Sequence, residues 1–138
     1  DSASSLTWSE KTTDAMNWND ADDYCNGLNT SNYGGFSNGW HLPTIGELRT
    51  LIQNCENTVT DGICGVTDDC LESSCQSTRC YFCANDANGK YSKFRDIDSI
   101  WSSSNVSDIA DTAWYISFYG GKIYRNEKTQ EHNVRCVR

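Results

Sequence analysis

Residues 40–48 read WHLPTIGEL, and this stretch constrains the fold more than any other part of the sequence. Thr44 and Glu47 have the T-x-x-E spacing of a capping box, in which each side chain accepts a hydrogen bond from the other residue's backbone amide. The apolar positions at helical spacing give the predicted buried face: Ile45, Leu48, Leu51 and Ile52. The pattern predicts a helix that begins after Thr44 and ends near Asn54.

Another amphipathic helix is predicted upstream, over residues 18–28. Asn17 is its predicted N-cap, and Asp20 brings a carboxylate close to the exposed amides of the first turn. Its apolar residues recur at helical spacing: Trp18, Ala21, Tyr24, Cys25 and Leu28. A loop rich in Gly, Ser and Asn, residues 29–39, joins this helix to the WHLPTIGEL segment.

Residues 55–93 lack hydrophobic periodicity and contain six of the eight cysteines. A segment with so little apolar content does not pack by itself. We therefore interpret it as a long loop insert in which disulfides substitute for a hydrophobic core.

Short strands are predicted in the last third of the chain. Alternation is clearest at residues 113–119, where Trp114, Ile116 and Phe118 share one face. The predicted strands are residues 100–102, 113–119, 122–125 and 134–138, with Gly120-Gly121 as a hairpin turn. Two helices followed by an antiparallel sheet predict a single α+β domain over residues 1–138.

The cysteine content indicates export. Eight cysteines in 138 residues are an even and dense set, typical of secreted domains rather than of the reducing cytosol. Zinc is the alternative, with four candidate thiolates: Cys70, Cys75, Cys80 and Cys83. Structural zinc sites usually contain two closely spaced ligand pairs, and only Cys80 and Cys83 form one. Disulfides and a secreted or bacterial cell-surface location are the favoured interpretation.

Charge and hydropathy disfavour two classes of partner. A net charge of −8 disfavours nucleic acid, whose binding normally needs a basic face. No apolar run approaches the roughly 20 residues that cross a bilayer, so membrane insertion is not expected. The acidic stretches do not form an EF-hand loop. We predict no cofactor, although calcium stays possible without a motif to support it.

Five blocks of sequence together carry a family resemblance. They are W-x-x-A-x-x-Y-C-x-x-L at 18–28, G-F-S-x-x-W-H-L-P-T-x-x-E-L at 35–48, W-S-S at 101–103, A-W-Y-x-x-F at 113–118 and V-R-C-V-R at 134–138. Their order and distances resemble the bacterial Lcl C-terminal domain family, which takes its name from the terminal domain of a collagen-like adhesin. The resemblance covers nearly the whole chain and implies a C-type-lectin-like fold.

The resemblance also implies a disulfide between Cys25 in the first helix and Cys136 in the last strand. The other six cysteines then pair within the insert: Cys55, Cys64, Cys70, Cys75, Cys80 and Cys83. Six cysteines allow 15 pairings, and the sequence does not choose among them.

The terminal hairpin is the predicted ligand-binding surface. Its polar and aromatic side chains are of the kinds enriched at recognition sites, although an ordinary solvated hairpin has the same composition. The candidate residues are Tyr115, Tyr119, Lys122, Tyr124, Arg125, Asn126, Glu127, Gln130 and His132. Four other aromatic residues are assigned to the core: Trp18, Trp40, Trp101 and Trp114. His41 is expected to pack beside Trp40.

Binding is predicted rather than catalysis. His41 and His132 lie in unrelated contexts and offer no pairing of nucleophile and base. The resemblance implies an adhesion domain for a glycan or a surface protein, and a homotrimer at the tip of a longer adhesin is the arrangement it suggests. Two alternatives stay open: an oxidoreductase like the formylglycine-generating relatives of the fold, and a purely structural module of a larger surface protein.

Overall fold

The computed structural model describes residues 5–80 and 83–138. Two α-helices precede three β-strands, with one 3-10 turn between the helices and two between the second helix and the first strand. The helices are α1 (Trp18–Thr30) and α2 (Ile45–Arg49), and the strands are β1 (Ser99–Asn105), β2 (Thr112–Ser117) and β3 (Lys122–Glu127). The α+β prediction is confirmed. None of the described helices is long and apolar enough to cross a membrane.

Helix α1 begins where the sequence predicts. The Asn17 side chain accepts a 2.9 Å hydrogen bond from the Asp20 amide, which satisfies one of the free amides of the first turn. Ala21, Cys25 and Leu28 are its buried residues. The helix continues two residues past the predicted end and stops at Thr30.

Helix α2 contains the predicted capping box but is shorter than predicted. Thr44 Oγ1 accepts from the Glu47 amide at 3.1 Å, and Glu47 Oε1 accepts from the Thr44 amide at 2.9 Å. The predicted end near Asn54 is wrong, because α2 ends at Arg49. Beyond α2, the backbone of residues 51–53 forms hydrogen bonds with the end of the insert instead of continuing the helix. Lys93 N donates to Leu51 O and Gln53 N donates to Tyr91 O, so that Ile52 and Ser92 form an antiparallel bridge.

The sheet is antiparallel with strand order β1-β2-β3. Alternate residues face two separate hydrophobic clusters. Ile100, Ile116 and Ile123 occupy one row across the strands and pack in the cluster that contains α2 and the insert. The other face packs its buried residues Trp101 and Ala113 in the cluster that contains α1. The sheet is thus covered on both sides, which leaves only part of it open to solvent.

The predicted strand at residues 134–138 is not part of the sheet. Val137 forms isolated bridges with Trp8 and with His41, and Ser9 N donates to Cys136 O. The segment therefore pairs with two loop segments from earlier in the chain. Its apolar residues are buried, but the sequence does not reveal which neighbour supplies its hydrogen bonds.

All eight cysteines form disulfides. The bond implied by the family resemblance, Cys25–Cys136, is present. The insert contains the other three: Cys55–Cys83, Cys64–Cys80 and Cys70–Cys75. The four zinc candidates are all used in these bonds.

The insert differs from the prediction of a coreless loop. Val66 and Tyr91 are buried in the same cluster as α2, and Trp114 Nε1 of β2 donates to Leu71 O at 3.0 Å. The guanidinium of Arg49, which is 2% exposed, points into the insert. It donates to four backbone carbonyls, those of Thr58, Val59, Cys64 and Val66, at 2.6–3.1 Å. Part of the insert is therefore organised around a cation supplied by α2.

Candidate ligand-binding face

An aromatic row crosses the three strands of the sheet. Trp101 of β1 is opposite Tyr115 of β2, which is opposite Tyr124 of β3. Their rings meet edge to face, with centroids 6.2 Å and 6.4 Å apart. Trp101 is fully buried, Tyr115 is partly buried, and Tyr124 is 39% exposed. The row therefore extends from the core to the surface.

His132 completes this face from the segment that follows β3. Its ring stacks on Tyr115 with centroids 4.2 Å apart and meets Trp101 edge to face at 4.6 Å. Asn126 Nδ2 lies 3.0 Å from His132 Nε2, so the amide donates to an unprotonated ring nitrogen. Backbone hydrogen bonds in both directions between His132 and Met16 hold the segment in place. We call Tyr115, Lys122, Tyr124, Asn126 and His132 the aromatic face.

The environment of the aromatic face favours uncharged rings. Burial lowers the pKa of His132 to about 4. Burial, and to a lesser extent the neighbouring Tyr124, raises the pKa of Tyr115. At neutral pH the central part of the face is therefore apolar and neutral, while Lys122 supplies a positive charge 5.6 Å from the Tyr124 ring centroid.

His41 has the opposite electrostatic setting. Burial lowers its pKa, but hydrogen bonds to the Gly39 carbonyl and to Glu47 outweigh that effect, so the net pKa is raised. Its Nε2 lies 2.9 Å from Glu47 Oε1, and its side chain is 44% exposed. His41, predicted to pack beside Trp40, is thus less buried than expected. It is a partly exposed hydrogen-bond partner of Glu47, and the two side chains form an ion pair when the imidazole is protonated.

The two histidines give a prediction about pH. Between pH 6.5 and about 4 the unfolded chain binds a proton at residue 132 that the folded chain excludes, so the free energy of unfolding falls as pH falls. We expect the melting temperature of His132→Gln to fall less than that of the native protein when the pH is lowered from about 7 to about 4.5. A pH titration followed by proton NMR measures the pKa of each imidazole directly.

His41→Gln is the matched control for this prediction. Because the folded pKa of His41 is raised, its protonation stabilises the fold below the unfolded pKa, and that stabilisation is lost as pH rises through the folded pKa. This variant should therefore lose more melting temperature on acidification than the native protein. Equal slopes for all three proteins would contradict the two assigned environments.

The structure divides the predicted site residues between several locations. Five of them form the aromatic face. Arg125 and Glu127 occupy the alternate positions of β3, opposite Trp114 and Thr112, and Arg125 Nη1 donates to Gln76 of the insert. Tyr119 lies in the hairpin turn, where its carbonyl accepts from the Asp86 amide. Gln130 is exposed in the turn after β3.

One pair near the aromatic face was not predicted as part of a site. Lys128 Nζ lies 3.9 Å from the ring centroid of Trp18, and the Trp18 indole donates to Ser102 O at 2.9 Å. Trp18 is only partly buried, unlike the other three tryptophans assigned to the core. A tryptophan at the first position of a helix gives no sequence signal of a lysine partner 110 residues later.

Among the described residues, no group of three or more His, Cys, Asp or Glu side chains is arranged to hold a metal ion. The aromatic face instead offers partly exposed rings, one amide and one ammonium group. Comparison with protein families matches the chain to the Lcl C-terminal domain over residues 1–138. A search of curated proteins found no match.

Proposed function

Because the chain belongs to the Lcl C-terminal domain family, we propose that it is a non-catalytic extracellular binding module for a glycan or a protein on another surface. The observation that carries this proposal is the aromatic face, on which Tyr124 is exposed while Tyr115 and His132 stack behind it. Binding sites commonly combine aromatic rings with a few fixed polar groups in this way.

We infer a C-type-lectin-like fold for the same domain. Support comes from the order of two helices and an antiparallel sheet, and from the disulfide that joins α1 to the C-terminal segment. The four disulfides also support export, because such bonds persist in oxidising compartments.

Of the two kinds of ligand, a glycan fits the aromatic face better than a protein does. Tyrosine rings provide rigid contact area at a low cost in conformational entropy, and the apolar side of a sugar ring can pack on them. The Asn126 amide and the Lys122 ammonium lie beside the rings and can bind sugar hydroxyls. The overall charge of −8 favours neutral sugars over polyanionic ones.

Two observations favour binding over catalysis. His41 is engaged by Gly39 and Glu47, and His132 by Asn126 and Tyr115, so each imidazole has a structural partner. An oxidoreductase of the formylglycine-generating type needs a reduced pair of cysteines, whereas these cysteines are paired as disulfides.

In a trimeric parent protein, three weak sites would together gain about two to four orders of magnitude in avidity.

A glycan-array screen of the oxidised domain tests this proposal. We expect binding to neutral sugars that falls about tenfold or more in Tyr124→Ala, since central aromatic residues dominate such sites. Tyr24→Ala is the matched control, because Tyr24 is 38% exposed and lies on α1 rather than on the aromatic face. It should bind as the native protein does.

The same screen with calcium and with a chelator tests the cofactor. Binding that is unchanged by the chelator supports a calcium-independent site. If no glycan binds under either condition, the glycan proposal fails, and a protein ligand or a purely structural role takes its place.

A further inference from the structure

A groove of about 850 Å³ opens at the end of the sheet where β1 ends and β2 begins. Its walls include the last residues of β1, the loop 106–111, Leu71 of the insert and Lys128 after β3. None of the five residues of the aromatic face lines it. The volume lies in the usual range of ligand-binding clefts.

Contacts between the loop and the insert hold the groove open. Ser107 N donates to Leu71 O at 3.0 Å. The Asp108 carboxylate accepts from Ser73 Oγ at 2.6 Å and from Ser73 N at 2.7 Å. These bonds hold the pKa of Asp108 below its usual range, and the bond from Ser73 Oγ contributes most. The walls are therefore fixed to each other, and a ligand does not have to order them on binding.

The groove surface combines apolar and hydrogen-bonding groups. Leu71 and Ile109 provide apolar contact area, and Ser103 and Ser107 provide hydroxyl groups. An extended polypeptide needs both kinds of contact, because its backbone amides require partners while some of its side chains are buried.

Charge selects the kind of polypeptide. A smaller depression of about 380 Å³ shares Leu71 and Ser107 with the groove and continues it. The carboxylates that line the two are Asp68, Asp69, Glu72, Asp108 and Asp111. The lining cation is Lys128, whose ammonium already lies over Trp18. Such a potential attracts cationic ligands and disfavours anionic ones.

We propose that this groove binds an extended basic segment of a partner protein. Apolar side chains of that segment lie on Leu71 and Ile109, while lysine or arginine side chains reach Asp111 at one end and Asp69 and Glu72 at the other. The groove is separate from the aromatic face, so this inference does not depend on glycan binding.

Fluorescence anisotropy with a labelled peptide that repeats Lys-Leu-Lys-Gly tests the groove. We expect Asp111→Asn and Ile109→Ser each to weaken binding about tenfold. Asp111 has φ 54°, a left-handed conformation that asparagine also tolerates, so the fold should persist. Melting temperatures confirm that each variant is folded.

Matched controls separate the groove from general attraction to an acidic protein. Asp23→Asn removes the same charge from α1, and Ile63→Ser removes an isoleucine that is exposed on the insert outside the groove. Both should keep their affinity within about twofold. Equal losses in the control variants would overturn the proposal. Tighter binding of a glucosamine oligomer than of the peptide would also overturn it, because an amino sugar would then be the occupant.

Discussion

Replacing Arg49 by methionine is expected to cost about 3 to 5 kcal/mol of unfolding free energy. The guanidinium donates to four carbonyls of the insert, and each buried carbonyl left without a donor costs about 1 to 3 kcal/mol. The sum is smaller than four full penalties because the Val59 carbonyl also accepts from the Gly62 amide, and because the insert can relax and admit water. Burial lowers the pKa of Arg49, and Asp61 opposes that shift.

Urea unfolding at neutral pH measures this loss, and Arg79→Met is the control. Arg79 is exposed in the same insert, so its replacement should change stability by less than about 0.5 kcal/mol. A loss below about 1 kcal/mol for Arg49→Met would show that the disulfides hold the insert without the buried cation.

Removing the Cys25–Cys136 disulfide by a double alanine substitution is expected to cost about 4 to 5 kcal/mol. The bond joins residues 111 positions apart, so it restricts the unfolded chain more than any other disulfide of the domain. It also attaches α1 to the C-terminal segment, and both cysteines are fully buried.

The Cys70–Cys75 bond provides the comparison. It closes a separation of only 5 residues, for which the same chain-entropy relation gives about 2 kcal/mol. Unfolding of the two double-alanine variants should therefore differ by about 2 to 3 kcal/mol. Equal losses would mean that local packing, rather than restriction of the unfolded chain, determines the effect.

Local signals in the sequence predict local structure well. The Asn17 cap and the box between Thr44 and Glu47 both form as expected, because their partners lie within three residues. The end of α2 is mispredicted because Leu51 and Ile52 keep helical spacing while the backbone of residues 51–53 pairs with residues 91–93. A non-local partner overrides the local pattern there.

The same limit applies to the candidate site. Alternation along β2 and β3 correctly places Tyr115 and Tyr124 together, since period two is a local property of strands. The same alternation puts Arg125 on the other face of β3, yet its long side chain brings the guanidinium carbon to 5.9 Å from the Tyr124 ring centroid, which strand period alone does not predict. Arg49 gives no signal at all, because a buried arginine inside an amphipathic helix looks like an ordinary surface charge.

The two histidines report whether the ligand binds at the aromatic face, because only His132 belongs to it. Proton NMR can follow both imidazoles while a glycan identified by the array is added. We expect the His132 signals to shift with ligand, because its ring stacks on Tyr115, while the His41 signals stay in place. A saturable shift of His41 alone, or binding that leaves His132 unchanged, would contradict it.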